Sequence, residues 1–149
     1  DASYAGSIRL TGSTLTLRLE TRGSTGYLTG VAFNAPEGAI TGMTSAPDQF
    51  KILDRAGASP FGVYTHGASL GGSWQHGGNP AEGVAVGDSA TFVYSLANDG
   101  YKATDFWSAT CTKTEGCIPF AARFRGQDLN AHDKVAAATA DSLATKISF

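Results

Sequence analysis

Residues 60–96 constrain the fold more than any other stretch. They read PFGVYTHGASLGGSWQHGGNPAEGVAVGDSATFVYSL, short apolar runs cut every few positions by glycine or proline. Gly and Pro are the least favourable residues inside a helix, by about 1 and 3 kcal/mol against Ala. No helix of ordinary length fits there, whereas short strands joined by tight turns do. The rest of the chain agrees: 19 of the 149 residues are glycine and only 16% are charged, a composition suited to an all-β chain with many turns.

Residues 14–20 alternate strictly, with Leu15, Leu17 and Leu19 on one side and Thr14, Thr16, Arg18 and Glu20 on the other. That is a strand with one face on the core and one in water. Residues 89–96 repeat the pattern, Phe92, Tyr94 and Leu96 opposing Thr91, Val93 and Ser95. In 120–125, Phe120, Ala122 and Phe124 share one face, and Ala121, Arg123 and Arg125 the other. Further strands are expected at 7–10, 27–34, 40–44, 50–53, 61–65, 106–110, 134–138 and 145–149, between polar turns. Gly87-Asp88 and Asn98-Asp99-Gly100 are the clearest turn signals. The even spacing predicts a single domain over residues 1–149, an antiparallel β-sandwich or jelly roll. A chain of this length buries about two-thirds of its unfolded surface, enough for a packed core.

Cys111 and Cys117 bracket a polar loop. They lack further ligands at zinc spacing and are not a C-x-x-C redox pair. A disulfide closing a short loop is expected, contributing about 2 kcal/mol; two free buried thiols are the alternative. The bond implies an oxidising compartment. The flanking segments 106–110 and 120–125 then make a disulfide-pinned hairpin. Net charge is −2 with no basic cluster, so nucleic acid is not an expected partner. No apolar run is long enough to span a bilayer. The first residue is Asp1, which reads as a processed N-terminus of a secreted chain.

Gly67-Ala68-Ser69-Leu70-Gly71 matches the G-x-S-x-G nucleophile elbow, in which a strand ends, a turn exposes the serine and a helix begins. No helix-forming run follows Ser69, and pairing Asp105 or Asp128 with His132 is an easy coincidence. The motif is read as a glycine turn and the chain as no enzyme; a serine hydrolase is the third-ranked reading. Asp128, Asn130 and Asp133 offer oxygen ligands at near-alternate positions, as calcium prefers; a side-chain-capped turn is the alternative. Beyond that calcium no cofactor is expected. His66, His76 and His132 contain no pair at i, i+2 or i, i+4 spacing. Trp74 and Trp107, with Tyr64 and Tyr101, are candidates for a glycan-stacking platform or else core aromatics. Glu82 and Asp88 are the weak candidates for paired glycosidase carboxylates.

Taken in order, an early leucine/threonine strand, Leu28-Thr-Gly-Val-Ala-Phe-Asn34, Pro60-Phe-Gly62, a Gly-Gly turn, Pro80-Ala-Glu-Gly-Val-Ala-Val-Gly-Asp88, Thr91-Phe-Val-Tyr-Ser-Leu96 and Ala122-Arg-Phe-Arg-Gly126 with Asp133-Lys134 beyond it form one series. That series resembles the mature region of bacterial exosortase-sorted (PEP-CTERM-type) secreted proteins. The resemblance spans nearly the whole chain, through strand-and-turn signatures rather than catalytic residues. It implies a small β-rich domain exported and processed at the cell surface, with a role in extracellular matrix, surface coats or exopolysaccharide. The family's Pro-Glu-Pro motif, transmembrane stretch and basic tail are not in this sequence, which ends Lys146-Ile-Ser-Phe149. Either that tail is cleaved or the chain is sorted by another route.

The expected function is therefore an extracellular structural protein of a bacterial surface or matrix. Both ends, 2–10 and 143–149, are strand-like, and an open sheet edge can accept a strand from a neighbour. Strand sharing into fibres makes copies of the chain the expected partner, with extracellular polysaccharide a further one. The alternative is a carbohydrate- or calcium-dependent adhesive binding module.

Overall fold

The computed structural model describes residues 2–75, 78–126, 132–137 and 141–149. The chain runs β1 (Ala2–Thr11), β2 (Thr14–Gly23), β3 (Tyr27–Phe33), β4 (Ile40–Ser45), β5 (Phe50–Leu53), β6 (Ala56–Gly57), β7 (Val63–Tyr64) and β8 (His66–Leu70). It continues through β9 (Val84–Ala85), β10 (Ser89–Leu96), β11 (Thr110–Thr112), β12 (Gly116–Ile118), β13 (Phe120–Arg125), β14 (His132–Ala137), β15 (Asp141–Leu143) and β16 (Lys146–Ser148). Two 3₁₀ turns, Pro80–Glu82 and Ala103–Phe106, are the only helical pieces among the described residues.

The strands form two antiparallel six-stranded sheets and two small ribbons. The first sheet has the order β15-β16-β1-β2-β10-β4, and the second β14-β13-β3-β8-β5 with β9 added on β3. The ribbons are β6–β7 and β11–β12. The result is the expected all-β, sandwich-like fold.

The core follows from the alternation. Leu15, Leu17 and Leu19 of β2 are fully buried, as are Phe92 and Tyr94 of β10 beside them. Opposite them the second sheet contributes Leu28, Phe33, Ala68, Leu70, Phe120 and Phe124. Burying one such side chain is worth about 1.5–3 kcal/mol. Phe33 meets Tyr94 edge-on at 5.4 Å, and Phe50 meets Phe92 at 5.3 Å, so both contacts lock one sheet to the other. The Tyr94 hydroxyl crosses the core to donate to the Gly67 carbonyl at 3.1 Å.

The layout corrects two expectations, the strand at 106–110 and the hairpin around the disulfide, and adds two features to the rest. The second sheet is buried on both faces, because a second cluster (Ala32, Leu53, Ala58, Phe61, Tyr64, Trp74 and Ala121 among them) packs on its outer side. Of residues 106–110 only Thr110 is in a strand, at the start of β11, and Phe106 closes a 3₁₀ turn, where the Asp105 carboxylate accepts from the Lys102 N–H at 2.8 Å. The Cys111–Cys117 disulfide forms, but the hairpin it pins is β11–β12, with Cys111 paired to Cys117. β13 pairs with β3 and β14 instead. Lastly, both chain ends complete their own sheet: β1 lies between β2 and β16, and Gly6 and Phe149 exchange backbone hydrogen bonds of 2.7 and 2.9 Å.

Candidate functional site

The G-x-S-x-G motif does not form a turn. Gly67 through Leu70 lie in β8, between β3 and β5, and only Gly71 turns, at φ +63°. Ser69 is fully buried, and its Oγ has no hydrogen-bond partner among the described residues. Gly67 is glycine because β3 is too close: a Cβ there would overlap the Val31 carbonyl oxygen and stand 3.2 Å from Ala32 Cα. A buried serine in mid-strand has neither the exposure nor the following helix of an elbow. Asp105 is occupied in capping its own 3₁₀ turn.

The aromatic platform is not assembled either. Trp74 is 6% exposed and belongs to the outer cluster with Tyr64, which is 1% exposed. Trp107 packs on the inner core instead, 4.7 Å from Phe149 and 6.3 Å from Phe120, and Tyr101 lies edge-on to Phe106 at 5.7 Å. The two tryptophans serve opposite faces of the second sheet, so no sugar ring can rest on both. The calcium ligands Asp128 and Asn130, and His76, lie outside the described residues, as do the side chains of Asp133 and His132. Among the described residues no three His, Cys, Asp or Glu side chains come together to hold a metal ion.

What the fold does build is a cleft of about 430 Å³ at one end of the sandwich. Ala35, Pro36, Glu37 and Gly38 from the β3–β4 connection form one wall, and Asp54 and Arg55 after β5 another. Val63, Tyr64, Thr65 and His66 close it. A hydrogen-bond chain fixes this region. Asn34 Nδ2 donates to Ser108 O and Thr110 Oγ1, both at 2.9 Å, and Asn34 Oδ1 accepts from the Thr65 N–H at 3.1 Å. Thr65 Oγ1 accepts from the Ala35 N–H at 2.9 Å and lies 3.0 Å from His66 Nδ1. Ala35 engages one lone pair of the Thr65 hydroxyl, which keeps both a proton and a second lone pair to offer Nδ1, so the contact orients the imidazole in either tautomer. Burial holds His66 below the usual histidine range, while Asp54 pulls in the opposite direction. The ring is thus a neutral, oriented hydrogen-bonding group beside exposed Glu37, Asp54 and Arg55. An apolar wall of Ala35, Pro36 and half-exposed Val63 faces it. No sequence motif marks this cleft, since it is assembled from three separate connections.

A second unforeseen feature lies on the outer face of the second sheet. Arg123, on the face that alternation gave to Ala121 and Arg125, is only 3% exposed. Its Nη1 donates to the Trp74 carbonyl, and Arg125 Nη2 reaches the Gly78 carbonyl at 3.4 Å. The two arginines hold the connection after β8 against the sheet.

Comparison with known protein families, with curated proteins and with solved structures finds no match.

Proposed function

We propose that this chain is an extracellular structural protein of a bacterial surface or matrix, which associates with copies of itself by edge-to-edge strand addition. The observation that carries the reading is the open edge at β15. Among the described residues this strand pairs only with β16, and its Leu143 is 72% exposed, the most exposed of the large apolar side chains described. Open strands with an apolar side chain outward are what natural sheets ordinarily blunt with charge, proline or a bulge. The opposite edge, β4, is blunted in that way, by two register shifts against β10. The disulfide supports an oxidising compartment, and the resemblance to exosortase-sorted proteins supports a place at the cell surface. No helix among the described residues is long and apolar enough to cross a membrane.

Negative-stain electron microscopy with light scattering on one sample tests the reading. Fibres or sheets are expected, and Leu143→Lys, which puts an edge charge where the apolar contact sits, is expected to dissolve them. A monomer at high concentration for the unaltered chain would sink it.

The cleft favours a second reading, a carbohydrate-binding module of an adhesive surface. Its oriented imidazole and flanking carboxylates suit the hydroxyls of a sugar, and its apolar wall suits a ring face. Retention on polysaccharide that is lost in His66→Ala would support it; no retention on any glycan would remove it.

A further inference from the structure

The outer faces of the two sheets differ. The second cluster covers that of the second sheet, whereas the outer face of the first lies open, with Arg9, Arg18 and Thr91 exposed. Cations gather on it. Register puts Lys146 of β16, Arg9 of β1 and Thr16 of β2 in one cross-strand row, and Ser148, Ser7, Arg18 and Thr91 in the next. Arg9 and Lys146 are directly opposite, which sets their Cβ atoms about 5 Å apart, and Arg18 is the diagonal neighbour of Arg9 at about 7–8 Å. Three adjacent strands thus carry one cation each, in neighbouring rows.

Like charges set directly opposite each other on a sheet are destabilising, and no carboxylate on this face offsets the three. Glu20 is the one acidic residue in β1, β2, β4, β10 and β16. It is already engaged by a fourth cation: the only ion pair among the described residues joins Arg22 Nε to Glu20 Oε1 at 3.3 Å. Asp141, at the register position opposite Ser148 in β15, lies two strands from Arg9 and three from Arg18. The partner that Arg18 does have is uncharged, since its Nη2 donates to Ser89 Oγ at 2.8 Å. A chain with a net charge of −2 therefore presents one basic face.

We infer that this face binds a linear acidic polysaccharide, one bearing a carboxylate on each sugar, laid across β16, β1 and β2 so that its carboxylates meet Lys146, Arg9 and Arg18. A guanidinium fork matches a carboxylate, and the hydroxyls of Ser7, Thr16, Thr91 and Ser148 in the same two rows both donate and accept, as sugar hydroxyls require. The aromatic residues of these strands, Tyr4, Phe92 and Tyr94, belong to the core. The face therefore lacks the stacking platform that single-stranded nucleic acid uses. Anionic lipid is concentrated in the cytoplasmic leaflet, whereas the disulfide supports an oxidising compartment; the choice of partner rests on that extracellular reading. Edge-to-edge growth from β15 leaves the face open, so the polysaccharide and the assembly do not compete.

Calorimetric titration of the whole chain with polygalacturonate tests this, with neutral dextran, duplex DNA and phosphatidylglycerol vesicles as the other arms. Polygalacturonate should bind and dextran should not. Three neutralised contacts give a slope of about −2 in log affinity against log salt, a loss of about twentyfold between 50 and 200 mM. Arg9→Gln should weaken binding severalfold and make that slope shallower by about 0.7. Lys146→Gln should weaken it likewise while leaving the urea midpoint unchanged or higher, because a like-charge pair is relieved. Lys113→Gln, an exposed cation in the turn of the β11–β12 ribbon, is the control and should bind as the unaltered chain does. No binding to polygalacturonate at 50 mM salt, or an equal loss in the Lys113 variant, would overturn the inference, and tighter binding to DNA or to vesicles would overturn the choice of partner. Light scattering on the same samples separates this from assembly: fibres that ignore polygalacturonate count against the face alone, and a monomer that binds it counts against strand addition alone.

Discussion

Gly67→Ala probes the placement of the G-x-S-x-G segment most directly. A methyl group there would overlap the Val31 carbonyl oxygen and come within 3.1 Å of its carbon and 3.2 Å of Ala32 Cα. These are backbone atoms of the neighbouring strand, fixed by the register pairs from Gly30↔Ser69 to Phe33↔His66, so no flexible side chain can yield. Overpacking costs about 1–3 kcal/mol where neighbours can move, and rigid backbone places this case at the upper end, about 3 kcal/mol. In a domain of this size that lowers the melting midpoint by about 6–12 °C. Gly57→Ala in β6 is the control, because a Cβ there meets nothing within 4 Å and its φ needs no glycine. That change should be neutral or stabilise by up to about 1 kcal/mol, by restricting the unfolded chain. Urea denaturation of both variants, with the slope checked for constancy, measures the difference. Equal stabilities would show that β8 does not pass so close to β3, and the assignment of the motif to a buried strand would fall with it.

Two further outcomes are expected. Reducing the exposed Cys111–Cys117 bond should lower stability by about 2 kcal/mol without unfolding the chain; an unchanged urea midpoint under reductant would mean that the β11–β12 ribbon does not constrain the unfolded state. His66 should titrate below 6.5 by nuclear magnetic resonance, because burial disfavours its charged form. The unfolded chain then takes up that proton first, so this contribution to stability is present above pH 6.5 and is lost as pH falls below it. Asp54→Asn should lower the value further, and a value above 6.5 would contradict the buried geometry of the cleft.

The strands that alternate cleanly were readable in advance. β2 and β10 bury the leucines and aromatics that their two-residue period points inward, and β5 and β13 span the residues 50–53 and 120–125 expected of them. β8 was hidden because its outward positions are Gly67 and Ser69, residues that read as a turn when no neighbour is known. The same small residues, with Gly30, Ala32 and Ala121 across the sheet, are what admit Trp74 and Tyr64 onto the outer face. Alternation distinguishes two faces, but it cannot say that loops will cover the second one. The cleft escaped detection because its walls come from residues 35–38, 54–55 and 63–66, which only the fold brings together.

The antiparallel pairing of β1 with β16 has a mechanical consequence. Residue 2 and residue 149 lie toward the same end of adjacent strands, joined from Gly6–Phe149 towards Leu10–Thr145. A force that draws those residues apart loads these hydrogen bonds one after another, like a zipper, rather than all together in shear. Pulled through its ends, the domain should open at low force from this seam. Tension carried sideways, across the edge of β15 into a neighbour, would load a whole row of bonds at once.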